Sequence, residues 1–217
     1  MSRRRWSLGA GILVAIGAIA WAAPADSPWK KNPSITVISE PGDPRREAVG
    51  EAVAFWNRTL AELGTPFRLG DVEWVTATVA DSDMQSLSRQ VRFHNPWPTI
   101  PASVERYPGD LILVLSSASF ISFTARRGDR VVIGIKDGTS WPLSLPNVLR
   151  NVIAHELGHA IGLDHNRDPS LLMCGRPAPC RPDAFAAASP KIFALSETER
   201  TYLLDLYPRN WPIKAHE

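Results

Sequence analysis

The stretch that decides the fold is His155-Glu156-Leu157-Gly158-His159-Ala160-Ile161-Gly162-Leu163-Asp164-His165. His155 and His159 are four residues apart. On a helix that spacing puts both rings on one side, about 6 Å apart along the axis. Two imidazoles so placed can ligate one zinc ion. Glu156 is rotated by roughly 100° from His155, so its carboxylate flanks the metal and is positioned to take a proton from bound water. Gly162 stands where the helix must stop, and glycine can take the left-handed conformation that turns the chain sharply. That turn returns His165 as a third nitrogen ligand. Three protein ligands leave a fourth position for water, which is the arrangement of a catalytic zinc. Five fixed residues, three of them rare, match by chance in a chain of this length on the order of once in 100,000.

Working outward, Pro146 to Leu163 reads as the helix that carries this motif. Ser34 to Ser39, Asp110 to Ser116 and Arg130 to Lys136 are short β-branched or continuous apolar runs and read as strands. Phe67 to Val79 contains a further strand, with Val72, Trp74, Thr76 and Thr78 in alternation. Asp43-Pro44 opens a helix whose apolar face is Val49, Val53, Trp56, Leu60 and Leu63, and Gly64 stops it. Ser196 to Tyr207 is a last helix with a capping-box start. Asp81 to Tyr107 is polar and then proline-rich, and reads as a long loop. Trp56 and Trp74 read as core, while Trp97 and Trp141 sit in proline-flanked loops that border a cleft. No repeat or interdomain linker interrupts this order. The expectation is one α/β (α+β) domain over residues 26–217: a twisted mixed sheet with an N-terminal helix, an active-site helix and a C-terminal helix.

The pattern His155-Glu156-x-x-His159-x-x-Gly162-x-x-His165 resembles the zinc signature of the metzincin peptidases. Met173, eight residues after His165, is similar to their methionine turn. Within that group the likeness is to matrixins. It is carried by Asp168-Pro169-x-x-Leu172-Met173, and by Leu195-Ser196-x-x-Glu199 through Leu206-Tyr207. The resemblance implies a zinc endopeptidase acting on a peptide or protein substrate. His155, His159 and His165 would bind the ion. Zinc would polarise the scissile carbonyl and acidify its water. Glu156 would pass the proton on to the leaving amine, and Met173 would form an apolar floor. Two alternatives use the same residues: a non-catalytic zinc-binding module of this fold, or a zinc hydrolase of a non-peptide envelope amide. Glu156 speaks against the first, because a structural site has no need of a carboxylate beside an open position.

The chain departs from the matrixin pattern in several places. Matrixins often carry a second, structural zinc and calcium. Ser116 to Thr139 contains no histidine, and outside the motif only His94 and His216 occur. No structural zinc is expected, and Asp129 and Asp137 read as turn residues rather than calcium ligands. Gly175 stands where other metzincins place an extra tyrosine ligand. The inhibitory cysteine motif of the family lies upstream of the catalytic domain. Cys174-Gly175-Arg176-Pro177 lies downstream, and Cys174 is expected to pair with Cys180. About 10 residues separate the end of the leader from the first strand, so latency through a prodomain is not expected. The strand Arg130 to Lys136 is expected to rim the cleft and pair with an extended substrate.

Compartment and partners follow from the ends and the charge. Arg3 to Arg5 precede an uncharged stretch from Trp6 to Ala25 that ends in small residues. Residues 1–25 read as a signal peptide, or as an uncleaved membrane anchor. Either exports the domain, secreted or periplasmic, where a disulfide can form. The 217-residue chain carries 24 basic and 22 acidic residues. Setting Arg3 to Arg5 aside leaves 21 against 22, so nothing recommends nucleic acid as a partner. A monomer is expected.

Overall fold

The computed structural model describes residues 28–175 and 189–212. Five strands form one sheet: β1 (Ile35–Ser39), β2 (Val72–Thr76), β3 (Leu111–Leu115), β4 (Phe123–Arg127) and β5 (Arg130–Ile135), in the order β2-β1-β3-β5-β4. All neighbours are parallel except β4, which runs antiparallel to β5. Five helices complete the described part: α1 (Arg45–Leu63), α2 (Asp81–Arg92), α3 (Ala102–Glu105), α4 (Pro146–Ala160) and α5 (Glu197–Leu206).

Strand periodicity sorts the central residues onto two faces. Leu111, Leu113, Leu115, Val131, Ile133 and Ile135 meet the core built on α1 and α4. Ile112, Val114 and Val132 meet the core built on Met84 and Leu87 of α2 and Val104 of α3. Burial on both faces is why β3 reads as an unbroken apolar run. Trp56 of α1 is fully buried, and its indole Nε1 donates to the Ala154 carbonyl of α4 at 2.8 Å. Tyr207 stacks on Phe67 and donates from its hydroxyl to the Ile161 carbonyl at 3.0 Å. α1 and α5 thus grip the active-site helix from below and from its C-terminal end.

Local chemistry sets the ends of the elements. Gly64 closes α1 with φ +79°. Asp43 lies before α1; its carboxylate accepts from the Arg45 amide at 2.9 Å and pairs with the Arg45 guanidinium. Ser196 and Glu199 cap α5 reciprocally, as the sequence indicates.

Three expectations need correction. Residues 81–107 are not one loop: α2 and α3 lie within them. α2 buries only Met84, Leu87 and Ser88, so its apolar stripe is narrow and its composition polar. β4 is a strand that the sequence reading passed over. Finally, Arg130 to Ile135 is not the rim of the sheet. β5 is flanked by β3 and β4 and has both edges paired, so β4 is the outermost strand on that side. Residues 1–27 and Cys180 lie outside the described residues, and with them the leader and the Cys174–Cys180 pairing. Among the described residues no helix is long and apolar enough to cross a membrane.

Candidate metal centre

α4 begins at Pro146, a residue suited to the first helical position because its missing N–H has no partner there. Its buried side holds Val148, Ile153, Ala154, Leu157 and Ala160 against the core. The face at four-residue spacing carries Asn147, Asn151, His155 and His159. Gly162 has φ +104°, and the Leu163 amide donates back to the Gly158 carbonyl at 3.0 Å, closing the helix with a left-handed glycine.

The bend delivers His165 to the other two imidazoles. The Nε2 atoms of His155 and His159 are 3.0 Å apart, those of His159 and His165 2.9 Å, and those of His165 and His155 3.2 Å. His155 Nδ1 is 2.8 Å from the Leu172 carbonyl and His159 Nδ1 is 2.7 Å from the Leu163 carbonyl. A carbonyl only accepts, so each Nδ1 carries the proton and each Nε2 presents its lone pair. Lone pairs converging from three rings repel unless a cation sits between them. Tetrahedral zinc with Zn–N of about 2.0–2.1 Å spaces its ligands by about 3.3–3.4 Å, close to the separations found. Burial lowers the pKa of His159 to about 4, against the Leu163 contact, which works the other way. Burial also lowers that of His165. Neutral imidazole, the ligating form, is therefore favoured. The set fits zinc.

Met173 is fully buried beneath α4, with its sulfur against Gly158. The loop from His165 to Met173 is closed by backbone bonds. The Asn166 amide donates to the Met173 carbonyl at 2.8 Å, and the Gly175 amide to the Asn166 carbonyl at 3.2 Å. Asn166 Nδ2 also donates to Glu199 Oε1 at 2.6 Å, tying the third ligand's loop to α5.

Glu156 is 7% exposed, and burial pushes its pKa up to about 7, opposed by a hydrogen bond from Thr124. Thr124 Oγ1 on β4 lies 2.8 Å from Glu156 Oε2 and 2.8 Å from the Glu156 carbonyl. Two residues on, Arg126 donates to the Ala160 carbonyl at 2.7 Å while its guanidinium stacks on Trp29. On the other side, Asn147 and Asn151 hold an extended segment by both amide ends. Asn147 bonds the Ser189 carbonyl and the Lys191 amide, and Asn151 bonds the Lys191 carbonyl and the Phe193 amide, all at 2.8–2.9 Å. The sequence reading missed Thr124, Arg126, Asn147 and Asn151. A signal existed for the asparagines: they stand four and eight residues before His155 and so continue its face of the helix.

The three nitrogens open into a cleft of about 870 Å³. Leu143, Val152, Leu172 and Phe193 line an apolar part of it beside His155, and β4 lines another side. Trp141 and Trp97, 78% and 76% exposed, do not line this cleft, contrary to the expectation; Pro142, which follows Trp141, does. Trp56 is core, and Trp74 packs partly buried against it.

A matrixin family model matches residues 71–186, just over half of the chain. The chain belongs to the matrixin family. No curated protein matches it. Among solved structures it is similar to archaemetzincin from Methanopyrus kandleri, with a TM-score of 0.51 and 16% identity over 89% of this chain and 98% of that one. At that identity the likeness speaks for the fold alone: a mixed α/β fold of the metzincin kind.

Proposed function

We propose that this matrixin is an exported zinc endopeptidase in which His155, His159 and His165 hold the ion and Glu156 serves as general base and then acid. The observation that carries the reading is the convergence of three Nε2 lone pairs within 3.2 Å of one another, with Glu156 one residue from the first. Zinc bound there supplies Lewis acidity to the scissile carbonyl and to the attacking water.

The chain's own residues supply the rest. The outer edge of β4 pairs with no strand among the described residues. An extended peptide can add to it through main-chain hydrogen bonds, with alternate side chains turned into the cleft. The apolar wall of Leu143, Val152, Leu172 and Phe193 favours an apolar side chain beside the cleaved bond. Glu156 Oε2 is engaged by Thr124, so Oε1 is the oxygen left to accept the water proton and return it to the departing amine. Burial, which raises the pKa of this carboxyl, makes it a readier proton acceptor. Export rests on Arg3 to Arg5 and the uncharged stretch after them.

The test is to incubate the zinc-loaded full chain with a diverse peptide library, with and without chelator, and to sequence the products. Chelator-sensitive cleavage is expected, with Glu156→Gln keeping its zinc and losing about 100- to 10,000-fold in turnover. Wild-type turnover in Glu156→Gln would remove the base from the mechanism, and an intact library would remove the peptidase.

A further inference from the structure

We propose that Thr124 is a positioning residue for Glu156: its hydroxyl anchors the carboxylate to strand β4, so that the strand offered to substrate also sets the place of the base. The inference rests on the peptidase reading above and adds a residue to it.

Thr124 is the second residue of β4, the outermost strand on the cleft side of the sheet. Its side chain leaves the strand towards α4 and meets Glu156 at two atoms, Oε2 and the main-chain oxygen, both at 2.8 Å. One hydroxyl proton serves both oxygens, so the contact fixes the side chain relative to its own backbone as well as to the strand. A glutamate side chain has three rotatable bonds, and an unanchored one samples several staggered rotamers. Anchoring at Oε2 confines those torsions and leaves Oε1 as the oxygen available to accept a proton.

A second contact argues that the strand and the helix are matched in register. Arg126, two residues along β4, donates to Ala160, four residues along α4. Two strand residues advance about 6.7 Å and four helical residues about 6 Å. The two contacts therefore stitch the same stretch of strand to the same turn of helix. A peptide that pairs with the outer edge of β4 is placed against a strand already tied to the base. Alignment of reacting groups of this kind is worth much in rate, since a displacement of about 1 Å can cost on the order of 100-fold.

The test uses the zinc-loaded full chain with Thr124→Val, which keeps the shape and removes the hydroxyl, and Thr124→Ser, which keeps the hydroxyl. For Thr124→Val we expect full zinc content, a KM within about twofold of wild type and a kcat lowered by about 10- to 100-fold. Thr124→Ser should recover most of that kcat. Loss of the methyl alone cannot produce this pattern. Wild-type kcat in Thr124→Val, or a loss that Thr124→Ser does not recover, overturns the proposal. A thermal double-mutant cycle needs no peptidase activity. Thr124→Val should lower Tm by about 2–4 °C in the wild type, and by less than half of that in a Glu156→Ala background. Additive shifts would overturn the anchoring even if no peptide is ever cleaved, whereas an inactive wild type with a coupled cycle would count against the peptidase reading alone.

Discussion

A Cβ on Gly158 would lie 2.6 Å from Met173 Sδ and 3.0 Å from Trp56 Cζ2. The fourth residue of the His155–His159 segment is thus fixed by what lies under the helix rather than by the helix itself. Two effects oppose each other in Gly158→Ala. Helix propensity favours alanine by about 1 kcal/mol, and overpacking a full core costs about 1–3 kcal/mol. Met173 is fully buried, so its side chain can give way only within the core. We expect a net loss of about 1–2 kcal/mol, read as a Tm lower by about 2–8 °C. A variant more stable than wild type would mean that Met173 can turn aside at no cost.

Gly175 stands in the same relation to the third ligand. A Cβ there would be 2.5 Å from His165 Cγ and 2.7 Å from His165 Nδ1. Gly175 is only half-buried and lies at the end of the loop, so the fold has little at stake. Gly175→Ala should weaken zinc by about 10- to 100-fold, the size of effect seen when supports of a ligand are disturbed, while the metal-free Tm moves little. Competition against a chromophoric chelator measures the first quantity and a melting scan in chelator the second. Equal affinities for the two proteins would show that His165 can back away without losing the ion.

The metal should also stabilise the fold by mass action. With free zinc at 100 times Kd the gain is about 2.7 kcal/mol, or roughly 5–11 °C in Tm for a domain of this size. Removing one imidazole in His165→Ala should abolish most of that shift without lowering the metal-free Tm, because His165 is exposed and its lone pair faces two others. Differential scanning fluorimetry across a zinc titration reads both. A full zinc-dependent shift in His165→Ala would assign the ion to other residues.

Much of this arrangement was legible in the sequence because it depends on local rules. The spacing of His155 and His159, the glycine at 162 and the pair Ser196 and Glu199 each act within one or two helical turns. The strand Leu111–Leu115 announced itself by being apolar on both faces, and Ile35–Ser39 by its short β-branched run. What escaped depends on partners far along the chain. α2 shows few apolar residues because it covers only one side of the sheet, with Met84 and Leu87 against Ile112, Val114 and Val132. β4 was invisible because Thr124 and Arg126 are polar, and they are polar because they face Glu156 and Ala160 rather than a hydrophobic core. Taking Arg130 to Lys136 for the rim followed from not seeing the strand outside it. Strand order, unlike strand existence, is set by pairings that no local pattern records.

The start of the sheet offers a pH-dependent test well away from the metal. Asp110 precedes β3 and is held against β1. Its Oδ2 accepts from the Ser34 amide at 2.9 Å and the Ser34 hydroxyl at 2.8 Å, and Lys31 lies 3.2 Å from Oδ1. Partial burial works to raise the pKa of this carboxyl, but the bonds from Ser34 and the Lys31 charge together outweigh it and hold it below the ordinary carboxylate value. A carboxyl whose pKa is lower folded than unfolded stabilises the fold above its unfolded pKa of about 3.9, and that contribution fades as pH falls through the folded value. Asp110→Asn keeps the shape and loses the charge. At pH 7 it should cost about 1–2 kcal/mol, within the range for hydrogen bonds to a charged group, or about 2–8 °C in Tm. The gap between the two proteins should stay constant from pH 7 to pH 5, narrow below about pH 4 as the unfolded chain takes up the proton first, and close only below the lower folded value. Melting curves at half-unit steps decide the matter. A gap that persists undiminished at pH 2.5 would mean that the side chain acts through packing and not through its charge.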